Sequence, residues 1–445
     1  MATLTTWEPD DRAFWRRDGA RIARRNLAVS IPALVVAFAV WGLMSAVVVY
    51  LPRAGFAFTT TQLFWLVALP ALAGATLRLV FAWPVAVWGG RRWTAFATAA
   101  LALPAGGLAV AAQSPDAGFA TFAVIAIACG LGGGNFASSM AHISHFFPAD
   151  QKGLALGLNA GLGNLGIALA QFAVPVVVAG ALQGAEEDLR LPNAGLLWIP
   201  LIALTALAAW AGLDDVARAR ASVREQAMAF RRRQTATVCW LYLGTFGSWI
   251  GYSAAMPLLV ESQFPGANPL HYAFIGPLAG ALARPAGGWL ADQAGSARVT
   301  FWNFVAMAAA AAGAFACLPG VAGPGSLGGF VAFSFALFVT AGLGNGAVFR
   351  LIPAVFAAEA ERRAERGGTS SLEVSRLAAT ESAAAMGIAS AVGAYGGFFI
   401  PMLLAASLEA TGGAAAAHAA FVAFYATALW VTRRAYLRAD ARDAT

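Results

Sequence analysis

LAGATLRLVFAWPVAVWGGRR (residues 72–92) and LAGALARPAGGWLADQAGSAR (278–298) decide the fold, because they are one motif written twice. Each carries a lone arginine, Arg78 or Arg284, inside a long apolar stretch and behind the same run, LAGAxxR. Trp83 and Trp289, Gly89 and Gly295, and Arg92 and Arg298 follow at equal distances, so the offset is 206 throughout. Counted at helical rise to those glycines, each guanidinium lies about 16 Å from a membrane face, near the middle of a hydrocarbon layer about 30 Å thick. An arginine there costs on the order of 3 kcal/mol even on lenient insertion scales, so it is expected to face a partner or an aqueous cavity. Bracing by helix carbonyls or by a buried carboxylate is the alternative. The carboxylate lacks candidates, since all 22 acidic residues fall outside the apparent span centres. A mobile anion is then the natural counter-ion.

Composition places the whole chain in a bilayer. Of 445 residues, 59% are hydrophobic and 11% charged, against about 25% charged in soluble proteins. Apolar runs of sufficient length predict twelve spans, near 29–51, 61–88, 94–113, 118–147, 153–180, 194–213, 235–261, 270–291, 299–318, 327–356, 381–408 and 414–432. Nearly all basic residues fall on one side in this count, with Arg53 and Arg190 on the other, which places both termini in the cytoplasm. The net charge of +7 therefore belongs to loops facing an anionic leaflet rather than to nucleic-acid binding. No cleavable signal peptide is read in residues 1–28, where Trp7, Phe14 and Trp15 among arginines suggest a segment lying on the membrane surface or a loose charged tail. Cys129, Cys239 and Cys317 are too scattered to form a metal set and read as packing residues.

The duplication extends further. CGLGGGNF (129–136) echoes AGLGNGAVF (341–349) at an offset of 212, and Gly157, Gly163 and Gly166 echo Gly387, Gly393 and Gly396 at 230. The last jump is absorbed by AAEAERRAERGGTSSLEVSRLAAT (357–380), read as an inserted cytoplasmic loop. The expected organisation is a cytoplasmic N-terminal segment 1–28, a six-helix bundle 29–213, a charged cytoplasmic linker 214–234, a second bundle 235–436 and a cytoplasmic tail 437–445. This is an all-α membrane protein of twelve transmembrane helices in two pseudo-symmetric six-helix bundles, the major facilitator architecture. Its binding site is expected near the bilayer midplane between the repeats.

The segment GLGGGNFASSMAHISHFFPADQKGLALGLNAGLGNLGIALAQFAVP (130–175) resembles the nitrate signature of the nitrate/nitrite porter family, and GIASAVGAYGGFFIP (387–401) resembles its second copy. LYLGTFGSWIGYS (241–253) and FIGPLAGALARPAGGWLAD (274–292) fit the same family. The resemblance implies a site in which Tyr242, Phe246, Phe136 and Asn164 join Arg78 and Arg284 around nitrate or nitrite. Planar guanidinium donors suit such delocalised oxyanions better than an ammonium does. Gly130, Gly132, Gly133, Gly134, Gly157, Gly161, Gly163, Gly166, Gly387, Gly393, Gly396 and Gly397 let helices approach closely and slide or bend, or simply pack tightly.

Gly288, Asp292, Gly295 and Arg298 resemble the superfamily's cytoplasmic loop motif, a latch whose first-half copy is degraded to Ala82 and Ala86. His142 and His145 depart from the family pattern; they read either as proton-exchanging groups or as interfacial residues wetted by the cytoplasm. Arg350 reads as an anchor at the end of span 10. The expected activity is nitrate/nitrite exchange by alternating access across a bacterial inner membrane, in nitrate assimilation or respiration. Nitrate/proton symport is the runner-up, and carriage of another small anion a distant third. Neither HExxH nor GxSxG occurs, so no enzyme is expected. The expected partners are nitrate, nitrite and the lipid bilayer, without nucleic acid, cofactor or metal, and the chain is expected to act as a monomer.

Overall fold

The computed structural model describes residues 3–179, 189–216, 232–367 and 371–437. Among them, ten helices are long and apolar enough to cross a membrane: Arg12–Trp41, Thr60–Arg78, Gly90–Ala111, Phe119–Ser144, Asp150–Ala179, Asn193–Gly212, Ser296–Ala316, Leu327–Arg362, Ala378–Thr411 and Ala415–Leu437. They correspond to spans 1–6 and 9–12. Span 7 is built from Arg233–Tyr242, a π turn Leu243–Gly247 and Ser248–Gln263, and span 8 is Ile275–Ala294. The tail from 438 and most of the expected linker, residues 217–231, lie outside the described residues.

Two expectations are corrected. Span 2, read as continuous over 61–88, stops at Arg78 and restarts as Ala82–Trp88. Pro84 cannot donate a backbone hydrogen bond and is accommodated in the first turn of the new helix. The segment 357–380 is no simple loop: Leu327–Gly367 and Ser371–Ala394 carry spans 10 and 11 into it from both sides. Its alanines, glutamates and arginines are strong helix formers.

By packing, the chain divides into two compact units, Met1–Ala221 with Ser253–Leu278, and Ser222–Tyr252 with Ala279–Thr445. Each is seamed by glycine. In the first unit a Cβ on Gly134 of span 4 would come within 2.9 Å of Leu77 and 2.8 Å of Phe81 on span 2, and Gly130 would strike Ala73. Gly132 would meet the Ala37 carbonyl, while Gly163 and Gly166 of span 5 would run into Leu34 and the Val35 carbonyl of span 1. In the second unit Gly342 and Gly346 of span 10 press on the carbonyls of Gly280 and Arg284 on span 8, and Gly396 of span 11 on Gly247 of span 7. The duplicated glycines thus make equivalent seams, span 4 on 2 and 5 on 1, span 10 on 8 and 11 on 7. Gly157, Gly161 and Gly387 have open space where a Cβ would stand.

The N-terminal segment does not dangle but folds back onto the helices. Thr3–Leu4 pairs in parallel with Asp215–Val216. The Trp7 indole donates to the His145 carbonyl at 2.9 Å and sets its ring edge-on to Phe14 and Phe146, while Trp15 tilts onto Phe147. Ile143, Phe146 and Phe147 form an apolar cluster at the end of span 4, and these tryptophans cover it. Asp214, read as part of a flexible linker, is buried, paired with Arg25 and exchanging hydrogen bonds with Asn26 at 2.9 Å each way.

The seams sort the glycines by consequence. Gly166→Val and Gly346→Val should each destabilise the purified protein by about 1–3 kcal/mol or more through overpacking, read as a lower thermal midpoint. Gly387→Ala, in open helix, should leave it level or raise it by up to about 1 kcal/mol.

Candidate functional site

Each unit buries one of the two arginines. Arg78, the last residue of Thr60–Arg78, is 3% exposed. Its Nε donates to the Gly133 carbonyl at 3.0 Å, the carbonyl bracing that the sequence left open. Aromatic rings surround the guanidinium: its Cζ is 4.4 Å from the Phe136 centroid, 5.0 Å from Trp41 and 5.9 Å from Phe38. Contacts of this kind are worth roughly 0.5–1 kcal/mol at exposed sites and about 2 kcal/mol or more once desolvated. They help to hold a nearly buried cation. The glycine seam makes this possible, because span 4 presents a bare carbonyl and Phe136 to span 2 at close range.

Arg284 is 4% exposed in the second unit and precedes Pro285 within Ile275–Ala294. Its Cζ lies 5.2 Å from the Phe349 ring, and its Nη2 points to the Tyr242 hydroxyl at a stretched 3.5 Å. Tyr242 stacks on Phe246 at 5.5 Å, and Phe246 on Trp249 at 5.8 Å. Phe246 sits in the π turn Leu243–Gly247, a local widening of the helix that recurs at functional sites. A Cβ on Gly393 would come 2.7 Å from the Tyr242 ring and 3.3 Å from Phe246. That glycine therefore seats the aromatic pair.

The structure thus gathers Phe136 with Arg78, and Tyr242 with Phe246 and Arg284. Asn164 is buried on span 5, between the glycines that seam that helix to span 1. Phe38, Trp41 and Phe349 are additions that the sequence reading missed. A signal existed: Phe38-x-x-Trp41 in span 1 repeats as Phe246-x-x-Trp249 in span 7 at an offset of 208.

Around the loop motif, Arg350 Nη2 pairs with Asp292 at 3.0 Å, both half-exposed, which makes Arg350 an anchor onto span 8. Gly295 adopts φ +86 between spans 8 and 9, a conformation that favours glycine, and Arg298 is exposed. The first half lacks an acid at Ala86 but recruits one from the end of span 6. Asp215 accepts from the Arg91 amide at 2.9 Å and lies against Gly89, at φ +88.

The histidines separate. His142 is 3% exposed, packed between Gly90 and the edge of Phe146, so it is no wetted interfacial residue. The same span 4–span 3 contact that excludes water from it also needs Gly90 to lack a side chain. His145 caps the helix just beyond its end; burial, and then the charge of Lys152, push its imidazole down to about 4.

Residues 29–374 match the model of the Major Facilitator Superfamily. The chain is 44% identical to the nitrate/nitrite transporter NarU of Escherichia coli (strain K12), covering 98% of this chain and 96% of that protein. It is 35% identical to a Thermus thermophilus protein named probable nitrate/nitrite antiporter NarK2, covering 98% and 97%. Among solved structures, the xylose transporter XylE from E. coli in a partially occluded inward-open conformation superposes with a TM-score of 0.66 at 13% identity, over 94% of this chain and 98% of that one. The human organic anion transporter MFSD10 gives 0.61 at 13%, over 92% and 99%. These two share the fold.

With its folded value depressed, His145 favours stability fully above about pH 6.5, and that contribution is lost as pH falls towards about 4. His145→Gln should therefore leave the pH profile of transport unchanged between about pH 6 and 8 and soften acid destabilisation below it. Transport assays and thermal melts across pH check both.

Proposed function

Since the chain belongs to the Major Facilitator Superfamily and, within it, to the nitrate/nitrite porter family, we propose that it exchanges nitrate for nitrite by alternating access. The observation that carries this reading is the duplicated buried arginine, Arg78 and Arg284, each set among aromatic rings at equivalent places in the two repeats. The names borne by relatives at 44% and 35% identity support the choice of anion.

Each buried guanidinium is suited to an oxyanion. A planar guanidinium offers paired N–H donors in the plane in which nitrate carries its oxygens, and charge-assisted bonds of this kind are roughly twice as strong as neutral ones. Tyr242 adds a hydroxyl donor and Asn164 an amide, while Phe136 and Phe246 exclude water and shape the slot. Burying a guanidinium with no anion beside it is costly in low dielectric, so the empty carrier resists the transition and exchange results.

The seam glycines, Gly130, Gly132, Gly134, Gly163, Gly166, Gly393 and Gly396, keep each repeat tightly packed as the halves rock. The Asp292–Arg350 pair is the cytoplasmic latch, with Gly288 beside Arg350 in the same helix as Asp292, Gly295 making the turn that follows, and Arg298 in the first turn of the next helix. The carrier works as a monomer in the bacterial cytoplasmic membrane with both termini inside.

Purified protein in liposomes tests this. Nitrate uptake should require nitrite or nitrate in the lumen and leave luminal pH unchanged; uptake into empty liposomes with acidification would replace exchange by proton symport. Arg78→Lys and Arg284→Lys keep the charge and lose the fork, and each should weaken nitrate binding about tenfold or more in a titration. Unchanged affinity in both would remove the arginines from the site.

A further inference from the structure

We propose that Trp41 is a positioning residue for anion binding, acting through Arg78; this rests on the reading of Arg78 as an anion ligand. The indole occupies a slot cut by two glycines from different helices. A Cβ on Gly74 of span 2 would stand 2.7 Å from its Nε1, and one on Gly133 of span 4 would stand 2.7 Å from its Cε2. Its N–H donates to the Pro70 carbonyl at 2.8 Å, which fixes the ring along span 2. The ring is 3% exposed.

Held in this way, the indole presents its π system to the guanidinium 5.0 Å away, while Phe136 covers the same cation at 4.4 Å. The Nε–Gly133 bond then fixes the rotation of the group. Trp41 belongs to span 1, Arg78 and Pro70 to span 2, and Gly133 to span 4, so three helices meet on one cation. Phe38 joins from one turn earlier, edge-on to Trp41 at 5.1 Å. Nothing in this arrangement requires tryptophan for bulk alone; an aliphatic side chain would fill the slot but offer no negative π face.

The repeat supports a role beyond packing. Trp249 stands at the equivalent place in span 7, and a Cβ on Gly280, four residues before Arg284, would lie 2.5 Å from its Cδ1. Gly74 likewise precedes Arg78 by four. Both halves thus pair a tryptophan with a glycine notch one turn from the buried arginine.

The test is nitrate titration of folded, purified variants: Trp41→Leu, Trp41→Phe, Arg78→Lys and the double variant Trp41→Leu/Arg78→Lys. Trp41→Leu should weaken nitrate binding by about five- to thirtyfold, the span between an exposed and a desolvated cation–π contact. Trp41→Phe keeps an aromatic face and should stay within about threefold of the parent, and Trp41→Leu should cost less than about threefold more once Arg78 is already lysine. A purely structural tryptophan would lower the melting temperature in both Trp41 variants while leaving the dissociation constant per folded protein unchanged, and that result overturns the proposal. So does a full Trp41→Leu penalty in the Arg78→Lys background. If Arg78→Lys weakens binding and Trp41→Leu does not, the positioning role alone falls; if Arg78→Lys has no effect, the assignment of Arg78 as a ligand falls with it. Trp41→Met substitutes for Trp41→Leu where the latter fails to fold.

Discussion

Taking an arginine out of water costs several kcal/mol unless its surroundings replace what water supplied, and this chain does so twice. Much of the rest of the molecule follows from that constraint. Arg78 needs Trp41 from one helix, Phe136 and the Gly133 carbonyl from another, and all three must come within a few ångströms of span 2. Ordinary side chains would keep those helices too far apart. Glycine at positions 74, 130, 133 and 134 lets span 2 and span 4 close to the distance at which a backbone oxygen and a ring reach the guanidinium. Around Arg284 the same constraint is met by different means, with Phe349 on the cation, Tyr242 at its edge and Gly393 leaving room for the tyrosine.

The π turn in span 7 fits the same logic. Tyr242 stacks on Phe246 within one turn of helix, and Gly247 at the end of that turn meets Gly396 of span 11 almost backbone to backbone. A local widening of the helix and a glycine contact together give two large rings space in a packed interior. The corresponding place in span 1 is a regular helix up to Trp41, where Gly42 ends it. The two halves share a plan and differ in how each helix bends to accommodate its aromatic residues.

Much of this was legible beforehand because hydropathy and repetition are written at long range. Twelve apolar stretches and the 206-residue recurrence of LAGAxxR both survive small errors in boundary. Local exceptions were harder to read. The break after Arg78 depends on a single proline; the helical character of 357–367 and 371–380 depends on propensity in a segment whose charge suggested a loop. The burial of His142 depends on Gly90 having no side chain, a contact between helices that pattern alone does not encode. Phe38 and Trp41 carried a recoverable signal, the repeated Phe-x-x-Trp, but in an apolar span an aromatic pair looks like any other core residues until its neighbours are known. Asp215 illustrates the converse: a charge assigned to a connecting segment turns out to cap a helix and stand in for an acid missing from the loop motif.

The short pairing of Thr3–Leu4 with Asp215–Val216 ties together residues made more than two hundred positions apart. During synthesis, the opening residues must wait for the sixth span to leave the ribosome before their strand partner exists. Trp7 and Trp15 can settle on Phe146 and Phe147 sooner, once the fourth span has emerged. Aromatic docking can therefore come before backbone pairing, and the pairing can form only once all six spans of the first repeat have been made.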